Sequence, residues 1–336
     1  MATWFGPGVA TRPDFGAALD AGRRGLPSAE KALNALATDS SQPGIARATA
    51  LSLLTEYLTP ASIPALEAGL KDPDPLVRSG ALAALDALTL ERRVSLAAPL
   101  LRDPLRAVRL GAARALAGAP SHALGEGQRS DFERALSELV QSEMVNADRP
   151  EAHLNLANLY ARLGRPAEAE SELRTALWLD SRFVPALVNL ADLFRAQGRD
   201  GDGERFLEGA LEVAPNSADA LHALGLLRAR QGRRAEAVRL LRLAAVARPE
   251  SVRFSYVYAV ALHSTGDAAG AIAVLEQAHR RRPADREVLI ALATFLRDRG
   301  DAKAALRYGE ALAALVPEDR EVQGLVTSLR RQAGTP

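Results

Sequence analysis

The chain has 336 residues, enough for two or three domains with sizeable cores, and 42 basic against 41 acidic residues leave a formal net charge of +1. So balanced a charge supplies no global field that would draw the chain to nucleic acid or a membrane surface. With no cysteine, the sequence excludes disulfides, thiolate metal sites, a cysteine nucleophile and C-x-x-C-H haem attachment within these residues. No uninterrupted apolar run reaches the roughly 18 residues of a membrane span.

The first eleven residues read as a linker, and their start lacks the basic head and apolar stretch of a signal peptide, so as a complete protein the chain is expected in the cytoplasm. A period of 31 follows. Arg47, Arg78 and Arg109 keep that spacing, each trailed three residues later by Ala50, Ala81 or Ala112. Asp72-Pro73-Asp74-Pro75 and Asp103-Pro104 introduce the last two. Asp and Pro suit a helix start: the carboxylate accepts from free amides and faces the positive dipole end, and proline tolerates the first turn. The pattern predicts helix pairs over 12–24 and 27–38, 43–58 and 61–71, and 75–88 and 91–101, with a further helix over 105–117. These segments resemble HEAT-like repeats of the short, PBS-lyase type, which implies a HEAT-like array over residues 12–120. Only three of the basic residues are lysines (Lys31, Lys71, Lys303). Arginine suits bidentate carboxylate binding, although a composition-wide bias would leave the same mark.

Ser121 to Gln128 is Gly-rich and polar, and reads as a hinge; a bridging helix over 130–145 completes a segment 121–149. From Pro150 a second period takes over. Gly164, Gly198, Gly232, Gly266 and Gly300 stand 34 apart, as do Pro215, Pro249, Pro283 and Pro317. Small residues keep step at Ala157, Ala191, Gly225, Ala259 and Ala293, and at Ala169, Gly203, Ala237, Ala271 and Ala305. A fixed period of this length marks a stacked repeat array. Each glycine can close a helix in the left-handed conformation, the small residues let paired helices approach, and each proline ends a second helix. The period and the text of Asn155-Leu156-Ala157-Asn158-Leu159-Tyr160 and Asn189-Leu190-Ala191-Asp192-Leu193-Phe194 resemble the tetratricopeptide repeat family. That implies five helical hairpins over 150–319 and a capping helix and tail over 320–336. The fold expected is all-α, two tandem helical-hairpin solenoids.

The sequence carries no nucleotide loop, zincin motif, nucleophile elbow or EF-hand text. The five histidines stand singly, so no catalytic or metal-binding residue is assigned; His122 and Glu126 at the hinge are what an enzyme reading would have to use. The basic run His279 to Pro283 closes a second helix without interleaved aromatics, which argues against nucleic acid. Function is expected instead on the face lined by each unit's first helix. By resemblance to the family, the groove positions there include Asn158, Arg162, Asp192, Arg195, His222, Arg230, Arg253, Tyr256, His263 and Arg297. A carboxylate clamp of the kind that holds chaperone C-termini would need basic residues where Leu154, Asp219 and Ala223 stand, and only Asn158 and Asn189 fit it. An asparagine ladder of the glycosyltransferase type would use Asn155 and Asn189 but stops at Ala223, Val257 and Ala291.

The order of parts carries one more resemblance. Residues 15–25, 46–51 and 146–152, Tyr256 to Ser264, and Trp4-Phe5-Gly6-Pro7 are similar to the C-terminal region of bacterial multihaem c-type cytochromes that end in HEAT-like and tetratricopeptide repeats. Every haem ligand motif is missing, so haem would belong only to a longer chain. The resemblance implies a non-catalytic interaction scaffold without cofactor of its own, docking or assembling the partners of a periplasmic electron-transfer system. The alternative is a cytosolic adaptor or assembly chaperone that binds peptide segments in the groove.

Overall fold

A computed structural model describes residues 15–334, so the expected linker, the Trp4 to Pro7 stretch and the first three residues of the expected 12–24 helix lie outside the described residues. Within that span nineteen α-helices form and no strand is present among the described residues. By contacts the chain divides into two compact units, Met1–Ser142 and Glu143–Pro336. Among the described residues, no helix is long and apolar enough to cross a membrane.

The first unit contains α1 (Gly16–Arg23), α2 (Ala29–Thr38), α3 (Gly44–Leu53), α4 (Ile63–Leu70), α5 (Pro75–Ala83), α6 (Leu90–Ala97), α7 (Arg106–Leu116) and most of α8 (Glu126–Met144). Several helices are shorter than the hydrophobic pattern predicts because their ends tighten into 3₁₀ turns, at Leu54–Glu56, Ala84–Ala87 and Ala98–Arg102. At the last of these Pro99 removes an amide donor and ends the α-helix. The segment expected as a hinge is itself ordered into elements: a 3₁₀ turn spans Ser121–Ala123, Leu124 is buried, and α8 begins at Glu126 rather than Ser130.

The recurrent arginines have a mechanical purpose. Arg47 pairs with Asp72. Arg78 makes a fork of two bonds to Asp103, at 2.8 and 3.0 Å, and donates through Nη1 to the Asp72 carbonyl at 2.7 Å. Arg109 repeats that geometry on Glu138, at 2.7 Å, and on the Asp103 carbonyl, at 2.9 Å. Asp72 and Asp103 meanwhile accept from the amides of Asp74 and Leu105, both at 2.9 Å. The aspartates at the helix starts therefore serve two turns at once, joining each repeat to the guanidinium of the one before.

The second unit holds five helical hairpins: α9 (Pro150–Arg162) with α10 (Pro166–Leu179), α11 (Val184–Ala196) with α12 (Asp200–Val213), α13 (Ala218–Arg230) with α14 (Arg234–Ala247), α15 (Val252–Ser264) with α16 (Ala268–Arg281), and α17 (Arg286–Asp298) with α18 (Ala302–Leu315). The amphipathic α19 (Arg320–Ala333) caps them, burying Val322, Val326 and Leu329. Each hairpin turns at its glycine, with φ of 69°, 73°, 75°, 92° and 87° from Gly164 to Gly300. The amide following each glycine returns to a first-helix carbonyl, as Arg233 does to Arg228 at 2.9 Å, which closes the helix end. Both series of small residues are buried, and a Cβ at Gly225 would stand 2.8 Å from Leu241 Cγ, so the close approach of α13 and α14 depends on its absence. Cores run continuously between neighbouring repeats, as the cluster of Leu187, Leu207, Leu224 and Leu240 shows.

Candidate functional site

The first helices α9, α11, α13, α15 and α17 share a face, and two pockets open along it. The first, about 520 Å³, lies between the first and second hairpins and is lined by Asn158, Ala161, Asn189, Asp192, Ala196 and Gln197 among others. Asn189 Nδ2 donates to Asn158 Oδ1 at 2.7 Å, and Asp192 Oδ1 accepts from Arg195 Nε at 3.3 Å. The second, about 150 Å³, lies between the third and fourth hairpins and includes Leu226, Ala229, Arg234, Val257, Val260 and Ser264.

The two pockets are one position of the repeat seen twice. Leu226, Val257 and Val260 stand 68 residues, two periods, after Asn158, Asn189 and Asp192. What alternates is the filling of the intervening sites. The positions of Ala196 and Pro166 are taken one repeat on by Arg230 and Asp200, whose ion pair at 3.1 Å spans the equivalent place. Three repeats on, the positions of Ala161 and Leu193 are taken by His263 and Phe295, whose rings stack at 3.9 Å between centroids. A pocket stays open where the facing side chains do not pair across it, as at Leu193 and Ala161 or Arg234 and Ser264, and is occupied where they do.

The residues expected to line a groove therefore part company. Asn158, Asn189 and Asp192 come together in the first pocket. Asn155 is exposed and donates to Glu143 Oε2 at 3.0 Å; Arg162, Arg195 and Arg253 are also exposed. Arg230 is held by Asp200, Arg297 by Asp298 at 2.9 Å, and Tyr256 packs partly against the core of the fourth and fifth hairpins. His222 presents no free edge to a ligand. Only 6% of it is exposed, its ring lies 4.7 Å from that of Phe254, and neither ring nitrogen has a hydrogen-bond partner. Burial pushes its imidazole below the ordinary value; Arg253 adds to the shift, while Asp219 and Asp192 oppose it.

A search for hydrogen-bonding side chains misses the apolar pocket, although the signal was available: the residues lining it occupy the same two phases as the asparagines. It also misses two polar clusters. Arg228 is buried where the neighbouring repeats carry Phe194 and Leu262, and it meets Glu204, Glu208 at 3.4 Å and Glu236 at 3.6 Å. The Gln231 amide first, then Arg228, hold the Glu204 carboxyl below the usual range against the effect of burial. His153 bridges Glu172 Oε2, 2.6 Å from Nδ1, and the Ala147 carbonyl, 3.0 Å from Nε2. His122 and Glu126 are both exposed, and no group of three or more His, Asp or Glu suited to a metal occurs among the described residues.

The family model of HEAT repeats matches residues 29–117. Two models of the tetratricopeptide repeat match, one over residues 126–178 and 262–329, the other over 222–286. Both repeat families are thus found in the chain, and nothing in these matches links it to multihaem cytochromes. No curated protein matches the sequence. Among solved structures, PilW, described as a widely conserved type IV pilus biogenesis factor, is 20% identical over 60% of this chain and 93% of its own, with a TM-score of 0.50. PilF of Pseudomonas aeruginosa is 21% identical over 55% of this chain and 84% of its own, with a TM-score of 0.49. YrrB, described as a TPR protein with an unusual peptide-binding site, is 15% identical over 57% and 96%, with a TM-score of 0.43. At such identity the likeness to PilW is one of fold.

Proposed function

We propose that the chain is a non-catalytic protein-interaction scaffold whose tetratricopeptide unit holds an extended peptide segment of its partner along the first-helix face. The observation that carries this reading is the pair of open pockets at one phase of the repeat, on a face where polar and apolar side chains stand ready for contact. Pockets spaced along a row of helices suit a chain that runs across them, because alternate side chains of an extended segment point the same way. The narrower expectations of a periplasmic setting and electron-transfer partners rest on the sequence resemblance and draw nothing from this geometry.

Selection of displayed random peptides against the whole chain tests the reading. Binders are expected to be lost on Ala161→Trp or Ala229→Trp, exposed positions whose new rings would fill the first and second pockets, and to survive Trp178→Ala on α10. Failure to obtain binders, or binders indifferent to both pocket substitutions, refutes it.

A further inference from the structure

We propose that the tetratricopeptide unit reads its partner segment at two points, taking a cationic side chain in the pocket of Asp192 and an aliphatic side chain in the pocket of Val260. The proposal rests on the peptide-scaffold reading above. In the first pocket the charged lining side chain is the Asp192 carboxylate, beside Asn189 and Gln197. Asn189 spends a donor on Asn158, which leaves its carbonyl oxygen and the second Asp192 oxygen to receive donors, while Gln197 Oε1 already accepts from Arg199 Nη1 at 3.2 Å. An arginine or lysine head supplies several donors and the complementary charge. The volume of about 520 Å³ also accommodates its long stem.

In the second pocket the three polar positions of the first have become Leu226, Val257 and Val260, and Val260 is 40% exposed although it is apolar. About 150 Å³ is room for one branched aliphatic side chain. Arg234 at its edge repels a cation, so the two sites are not interchangeable and the segment enters in one register. Between them the Arg230–Asp200 ion pair spans the equivalent place. Neighbouring first helices are roughly 10 Å apart, so two steps cover roughly 20 Å. About six residues of extended chain span that distance.

Fluorescent peptides in a neutral Ser/Thr host, each with one Arg and one Leu separated by three to nine residues, test the proposal by anisotropy with the whole chain. Affinity is expected to peak at a separation of about six in one of the two orders, and to fall about tenfold when either residue becomes Ser. Asp192→Asn should bring the Arg-Leu peptide down to the level of the Leu-only peptide, and Val260→Asp down to that of the Arg-only peptide. Equal affinity at all separations, or unchanged affinity in both variants, overturns the two-point reading. If displayed binders still depend on Ala161 and Ala229, the scaffold reading survives that result; if they do not, both fall.

Discussion

Gly80 and Gly111 stand one 31-residue period apart, on α5 and α7, and the packing around them predicts opposite effects for the same substitution. Gly80 is buried, and a Cβ built there would lie 2.8 Å from Ala48 Cα and 2.9 Å from its carbonyl carbon, both backbone atoms of α3. Carbon contacts settle near 3.5–4.0 Å, so α3 and α5 would have to part by roughly 1 Å. Against backbone atoms, which cannot rotate aside, overpacking costs about 2–3 kcal/mol, the upper part of its usual range, and about 1 kcal/mol is regained in helix propensity. Gly80→Ala should therefore destabilise the first unit by about 1–2 kcal/mol. At Gly111 the same Cβ meets the Leu82 Cδ1 methyl at 3.1 Å, the end of a flexible side chain. That methyl can give way, so Gly111→Ala should be neutral or more stable by up to about 1 kcal/mol. Hydrogen exchange by mass spectrometry, read on peptides from α3 and α5, suits a repeat array better than a global melt because stability there is a sum of local terms. Protection should fall about five- to thirtyfold for Gly80→Ala and hold or rise for Gly111→Ala. Equal shifts in the two variants would refute the argument from backbone approach.

Four further perturbations follow from the structure. A Cβ at Gly232 meets no atom within 4 Å, so the cost of Gly232→Val should come from the left-handed backbone at φ 75°, about 1–2 kcal/mol; an unchanged melting curve counts against that origin. Arg78→Ala strips the bidentate partner from Asp103, whose side chain is only 5% exposed, and should cost about 3 kcal/mol. Removing Arg92 from its exposed pair with Glu67 should cost under about 1 kcal/mol, and denaturant midpoints that rank the two alike contradict this. Burial depresses the His222 imidazole, so the unfolded chain binds more protons than the folded one as pH falls below the ordinary histidine value of about 6.5. Stability from this group is present above that pH and declines beneath it. His222→Phe, which keeps an aromatic ring against Phe254, should flatten the change between pH 7 and 5; an unaltered slope would assign the dependence elsewhere.

The repeat text made the architecture legible because each recurrent residue answers a local need. The left-handed turns at Gly164 to Gly300, the buried small residues at Ala157 and its equivalents, and the aspartates at helix starts are all consequences of backbone geometry and period. Those are properties a single segment carries by itself. The sites were legible only in part. Asn158, Asn189 and Asp192 could be chosen by their place on the first-helix face, but the same reasoning also selected His222, which is buried against the ring of Phe254, 32 residues further on.

What tertiary structure alone decided is pairing between repeats. Nothing local says that Arg78 reaches Asp103, that Arg230 meets Asp200 across one pocket position, or that His263 stacks on Phe295 across another. Each contact joins side chains 25 to 32 residues apart, and such pairing determines whether the equivalent place is open or filled. Periodicity assigns a residue to a face of a helix, whereas a pocket depends on what two neighbouring helices place opposite one another.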